Sequence, residues 1–193
     1  MAFDAKEFFD FLRGGLLGPA LSQEEVEGCE AVLAAMAGAP LADCAYALAT
    51  AFHETNATMQ PVREAYWLSE AWRKKNLVRY YPWYGRGYVQ LTWEDNYKKA
   101  DRKLGLGGAL LANRDLAMDP EIAARIMRGG MDEGWFSRDR QGPHNFRRHL
   151  PAQGHATEAQ FIAARWIINR NDKDKLIARH ALQFQTALAK GGW

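Results

Sequence analysis

With 193 residues, 48% hydrophobic and 25% charged, the chain has the size and composition of one soluble domain that buries its core without covalent staples. Two cysteines, Cys29 and Cys44, lie in alanine-rich stretches, which excludes a disulfide framework and reads as two buried thiols in a reducing compartment. The net charge of +2 hides an asymmetry: residues 1–62 carry two basic and nine acidic side chains (net −7), residues 63–103 ten and five (net +5), and residues 104–193 thirteen and nine (net +4).

In chain order the predicted elements are mostly helical. Phe8, Phe9, Phe11 and Leu12 mark an amphipathic helix over 4–13. Ser22 and Glu25 form a capping-box pattern opening a helix to about Ala37, where Gly38 and Pro40 stop it. The next helix, 41–55, has Leu41, Cys44, Leu48 and Phe52 as its core stripe. Its other face, Ala47, Thr50 and Ala51, is small, so it is expected at the domain centre. Residues 56–61 break the pattern before Pro61, and 62–76 read as helical again. Residues 79–93 are aromatic and punctuated by glycine, which predicts loop and short β structure.

A helix resumes at Asn96–Lys103 and is ended by Gly105 and Gly107-Gly108. Asp119-Pro120 starts another, to about Met131. Residues 137–156 show no period and read as loop. Thr157 caps a helix through Ile168, and Asp172 caps the last one. The beginning of the chain lacks a basic n-region, and no stretch approaches transmembrane length. The expectation is a protein made in the cytosol, without membrane insertion.

Two segments carry the chemistry: Phe52-His53-Glu54-Thr55, and the run from Tyr84 to Glu94. Hydrolysing a glycosidic bond requires a carboxylic acid to protonate the leaving oxygen and a second carboxylate as base or nucleophile. Glu54 ends an apolar helix, where desolvation favours a proton-bearing carboxyl. Glu64 or Glu70 is the second carboxylate, because the break at 56–61 lets the chain reverse and cross a groove. Gly85 and Gly87 allow close backbone approach, while Gln90, Thr92 and Asn96 offer short polar groups for sugar hydroxyls, acetamido groups and a water. Tyr80, Tyr81, Trp83, Tyr84, Tyr88 and Trp93 offer flat faces for sugar rings or for core packing. His53-Glu54-Thr55-Asn56-Ala57 is not a zinc-peptidase motif, and His144, His149, His155 and His180 lack ligand spacing; no metal or other cofactor is expected.

At these residues the chain resembles glycoside hydrolase family 19, the chitinase and endolysin family. The match is strongest at Phe52–Thr55 and at Tyr84-Gly85-Arg86-Gly87-x-x-Gln90-Leu91-Thr92. It continues through Asn96-Tyr97, Leu110–Leu116 and Trp166-Ile167-Ile168-Asn169. The resemblance implies a mainly α, lysozyme-like fold with a little β structure, two lobes and a central cleft. It also implies inverting hydrolysis without metal or cofactor. By it Glu54 is the general acid, Glu64 the base, and Thr92 stands where the family has a water-holding serine. His53, Tyr84, Arg86, Gln90, Asn96 and Asn169 are the substrate-side residues. Arg170 departs from the family's glycine.

Compact size, the missing signal and the basic middle segment resemble the phage or prophage endolysin branch. In that reading 1–193 is a single catalytic domain, with a second lobe within 97–150 and no separate wall-binding module. It acts as a monomer on peptidoglycan after a holin-type pore releases it. The alternatives are a chitinase with the same machinery or a catalytically inactive glycan-binding protein. Single-stranded nucleic-acid binding would use the basic and aromatic residues of 73–93, but leaves Glu54 and Gln90-x-Thr92 unexplained, so no nucleic-acid partner is expected.

Overall fold

The computed structural model describes residues 3–193. Helix α1 (Ala5–Leu12) is capped by the Asp4 carboxylate, which accepts from the Lys6 and Glu7 amides. Helix α2 (Gln23–Ala35) has the full reciprocal capping box between Ser22 and Glu25. Helix α3 (Leu41–Glu54) is buried from Ala42 to Phe52. Its small side chains admit neighbours on every side, as the alanine-rich pattern requires. The principal neighbour is α10 (Asp174–Lys190), which also packs against α1 and α9 (Glu158–Ala164). Phe52 meets Phe184 edge-on at 6.1 Å, and Tyr46 stacks with Phe161 at 6.5 Å.

A second group of helices leans on α2. Helix α5 (Glu94–Leu104) ends at Gly105 in the left-handed conformation. The Asp101 carboxylate accepts from the Gly108 and Leu110 amides, and so joins α5 to the short α6 (Ala109–Ala112). A 3₁₀ turn, Arg114–Met118, leads into α7 (Pro120–Glu133), capped by Asp119 with Pro120 in its first turn. Helix α7 packs against α2, and the buried side chains of both groups form one continuous cluster.

Four expectations change. Residues 62–76 are not one helix: Val62–Arg63 is a strand, β1, and only Glu70–Asn76 is helical, as α4. Strand β1 pairs antiparallel with β2 (Arg86–Gly87), Val62 opposite Gly87 and Arg63 opposite Arg86. Residues 137–156 contain a hairpin, β3 (Arg138–Asp139) with β4 (Gly142–Pro143), and a turn of helix, α8 (Phe146–His149). Residues 165–167 tighten into a 3₁₀ turn where an α-helix was expected. Asp172 does not cap α10; the capping position is Lys173, with left-handed backbone and no side-chain cap. Among the described residues no helix is long and apolar enough to cross a membrane.

Candidate active site

Helix α3 ends at Glu54, and the next turn holds that end in place. Thr55 Oγ1 donates to the Ala51 carbonyl and accepts from the Met59 amide. Asn56, Ala57 and Met59 take positive φ, which folds the chain back so that β1 can meet β2. The residues after β2 return along the same wall: Arg86 and Leu91 bridge, and Gln90 (φ 51°) and Trp93 (φ 76°) have positive φ too. The result is a cleft of about 360 Å³ lined by Glu54, Gln90, Thr92, Trp93, Asn96 and Asn169, with Phe136 and Ile168 closing it.

Glu54, Gln90, Thr92 and Asn96 are each held through part of the side chain and offer another group. The Gln90 amide nitrogen donates to the Val62 and Gly87 carbonyls. The Thr92 hydroxyl donates to the Gln90 carbonyl at 2.7 Å, leaving its oxygen lone pairs to accept. Asn96 Nδ2 donates to the Thr92 carbonyl, which turns the amide oxygen into an available acceptor. Glu54 is 17% exposed, and its Oε1 accepts from Arg165 Nη2 at 2.9 Å. Oε2 is therefore the oxygen left to carry a proton toward a ligand.

Arg165 was not among the residues singled out from the sequence. It is 1% exposed, and its Nε donates to the Asp172 carbonyl. The signal was present twice. An arginine stands at core spacing in Phe161-Ile162-Ala163-Ala164-Arg165, and Tyr46, Thr50 and Glu54 recur every four residues along one face of a buried helix. Such a polar stripe inside a core demands a partner. Tyr46 Oη, Thr50 Oγ1 and Arg165 Nη1 make no bond of ordinary length. Burial pushes the Tyr46 phenol up to about 12, with Arg165 and Thr50 pulling the other way.

The other sequence-predicted residues lie elsewhere. Glu64 does not line the Glu54 cleft. It accepts from Tyr80 Oη at 2.7 Å and from the Gly85 amide at 3.0 Å, while its own amide donates to the Gly85 carbonyl. Burial and the carboxylate together push the Tyr80 phenol up to about 12, so Tyr80 remains a donor. Gly85 stands between Glu64 and Gln90: a Cβ there would sit 2.7 Å from Gln90 Oε1. Glu70 belongs to a separate cavity, bonded to Arg73 and Tyr84. Burial raises its pKa, but the bonds from Tyr84, Arg73 and Tyr81 outweigh that and hold it below the ordinary value.

Tyr84 and Arg86 line that second cavity and not the Glu54 cleft. Arg86 lies 3.8 Å over the Tyr84 ring and donates to Asp115, to the Pro82 and Tyr84 carbonyls and to Tyr97 Oη. His53 is half-buried beside Glu54 in sequence but outside the cleft wall; desolvation lowers its pKa. Among the described residues no three His, Cys, Asp or Glu side chains converge as metal ligands. His144 and His149 bond to each other instead, at 2.9 Å.

Among solved structures, the chain is similar to chitinase C from Streptomyces griseus HUT6037, with a TM-score of 0.59 and 21% identity over 95% of this chain and 75% of that one. A mutant of chitinase C aligns with a TM-score of 0.52 and 20% identity over the same shares. At this identity the likeness establishes the fold, which is the mainly helical, lysozyme-like fold of a family 19 chitinase. No protein-family model and no curated protein matches the chain.

Proposed function

We propose that this protein is a glycoside hydrolase that cuts the glycan strands of bacterial peptidoglycan by an inverting mechanism, as an endolysin does. The observation that carries the reading is the convergence of Glu54, Gln90, Thr92, Asn96 and Asn169, from distant parts of the chain, on one cleft. The fold shared with a chitinase supports glycan hydrolysis in general. The excess of basic side chains in 63–103 supports an acidic polymer over neutral chitin.

In this reading Glu54 Oε2 delivers its proton to the glycosidic oxygen while Arg165 holds Oε1 and fixes the direction of delivery. Gln90, Asn96 and Asn169 bind hydroxyl and acetamido groups. A water held at the Thr92 hydroxyl gives its proton to Glu64 and attacks the anomeric carbon from the opposite face. Inverting enzymes keep the two carboxyl groups about 6.5–9.5 Å apart to admit that water. Glu64 is preferred to Glu70 because it shares Gly85 with Gln90, whereas Glu70 is bound to Arg73 in another cavity. Exposed Trp67 and Trp93 supply apolar faces for sugar rings. The protein would act as a monomer, made in the cytosol and released to the wall through a holin-type pore.

The second reading, a chitinase, is favoured by the named structural relative. One experiment separates the two: clearing of outer-membrane-permeabilised bacteria set against release of sugars from N-acetylglucosamine oligomers. Lysis with mass-identified glycan fragments supports the first reading. Oligomer cleavage without lysis supports the second, and cutting of peptide links alone would refute both.

A further inference from the structure

A second cavity of about 360 Å³ shares no lining residue with the Glu54 cleft. Arg63, Arg73, Arg86 and Arg114 all line it, against two carboxylates, Glu70 and Asp115. Asp115 is shared by two of the cations: Oδ2 accepts from Arg63 at 2.7 Å and Oδ1 from Arg86 at 2.8 Å. Glu70 accepts from Arg73. Four guanidinium groups against two carboxylates leave the lining with a net charge of +2, and Arg114 has no carboxylate partner among the described residues.

Two of the four are buried, while Arg63 is 40% exposed. The Arg73 and Arg86 side chains are 6% and 4% exposed. Arg73 Nη1 donates to the Ala65 and Leu68 carbonyls, and Arg86 uses Nε and Nη1 on its own partners. Nη2 of both carries no partner among the described residues, and Arg63 Nε is buried and unpaired. Arg114 is held over the Trp83 ring at 4.9 Å. A lining with more guanidinium groups than carboxylates favours a ligand that brings negative charge. Fixed, planar guanidinium forks are suited to oxyanions.

We propose that this cavity is a binding site for a small oxyanion, a carboxylate or phosphate group carried by a partner molecule. The proposal is independent of the hydrolytic reading, because its residues lie outside the Glu54 cleft. Of the basic run Arg73-Lys74-Lys75, only Arg73 turns inward to the cavity; both lysines are exposed.

The test is calorimetric titration at low ionic strength with glutarate and, separately, inorganic phosphate. Saturable 1:1 binding is expected in the wild type and in Glu54→Gln. It should weaken at least about tenfold, roughly 1.4 kcal/mol, in the double variant Arg63→Gln/Arg114→Gln. Asn113→Asp places one more carboxylate at the rim and keeps the acceptor for the Asp115 amide, so it should weaken binding even if the double variant misfolds. Tighter glutarate identifies a carboxylate-bearing partner and tighter phosphate a phosphate-bearing one; either supports the site. No saturable binding of either anion, unchanged affinity in Asn113→Asp, or loss of binding in Glu54→Gln would overturn it.

Discussion

The two cavities have the same volume and opposite electrical designs. Among the described residues no cation lines the Glu54 cleft, and the buried Arg165 holds the carboxylate from behind, so a ligand meets an acid, amides, a hydroxyl and rings. In the arginine cavity the carboxylates are claimed by guanidinium groups, and positive charge is left facing the space. The difference teaches that a charge count of the lining does not define a site. What matters is which atoms are already satisfied and which remain. The first cavity offers a group that can give a proton; the second offers positive charge that a ligand can neutralise.

The strongest way to break this comparison is at the acid. Glu54→Gln should lower kcat by about 10²–10⁴-fold, since the amide still accepts from Arg165 but carries no transferable proton. Circular dichroism and a melt should show a folded protein, and near-normal clearing of cells would remove Glu54 from the chemistry. Glu64→Gln should cost about 10²-fold or more, with Glu70→Gln leaving kcat close to the wild type. The reverse order would move the base into the arginine cavity and merge the two sites. The sugar released should be the inverted anomer by proton NMR, as the wider carboxyl spacing requires.

A smaller effect sharpens the role of the hidden cation. Arg165→Met leaves the mostly buried Glu54 carboxylate without its charge partner, which should destabilise the protein by about 3 kcal/mol. In a chain of this size that lowers Tm by several degrees, with partial rescue in Arg165→Lys. An unchanged Tm would mean that solvent in the cleft already satisfies Glu54.

Asp43 supplies the contrasting case, a carboxyl buried without a bonded cation. Burial first, then the Asp132 charge, push it up to about 7, with Arg128 pulling the other way. The folded chain thus holds this proton more tightly than the unfolded chain. The resulting stability is present below the ordinary aspartate value of 3.8 and is lost as pH rises through about 7. Asp43→Asn should leave Tm nearly unchanged at pH 4 and raise it by a few degrees at pH 8. Equal effects at both pH values would refute the assignment.

Much of the helical frame was legible because its signals are local. Ser22 with Glu25, Asp119 with Pro120, and Thr157 place caps within a few residues of the groups they satisfy. The cleft residues Gln90, Thr92 and Asn96 were legible for a similar reason, lying within one short segment. What failed was non-local. Val62 and Arg63 are extended because they pair with residues more than twenty positions away, and nothing in their own neighbourhood says so. Tyr84 and Arg86 have the side chains of ligand contacts, yet Tyr84 bonds to Glu70, and Arg86 spends Nε and Nη1 on Asp115, Tyr97 and its own segment. Arg165 was readable only by asking what Tyr46, Thr50 and Glu54 share.

Gly85 has a consequence beyond its own turn. Its amide hydrogen grips one carboxylate, and its missing methyl leaves room for the glutamine opposite. The main chain at Gly85 thereby ties the Glu64 carboxylate to the wall that carries Gln90. An alanine at 85 would press on the Gln90 side chain and force it to shift.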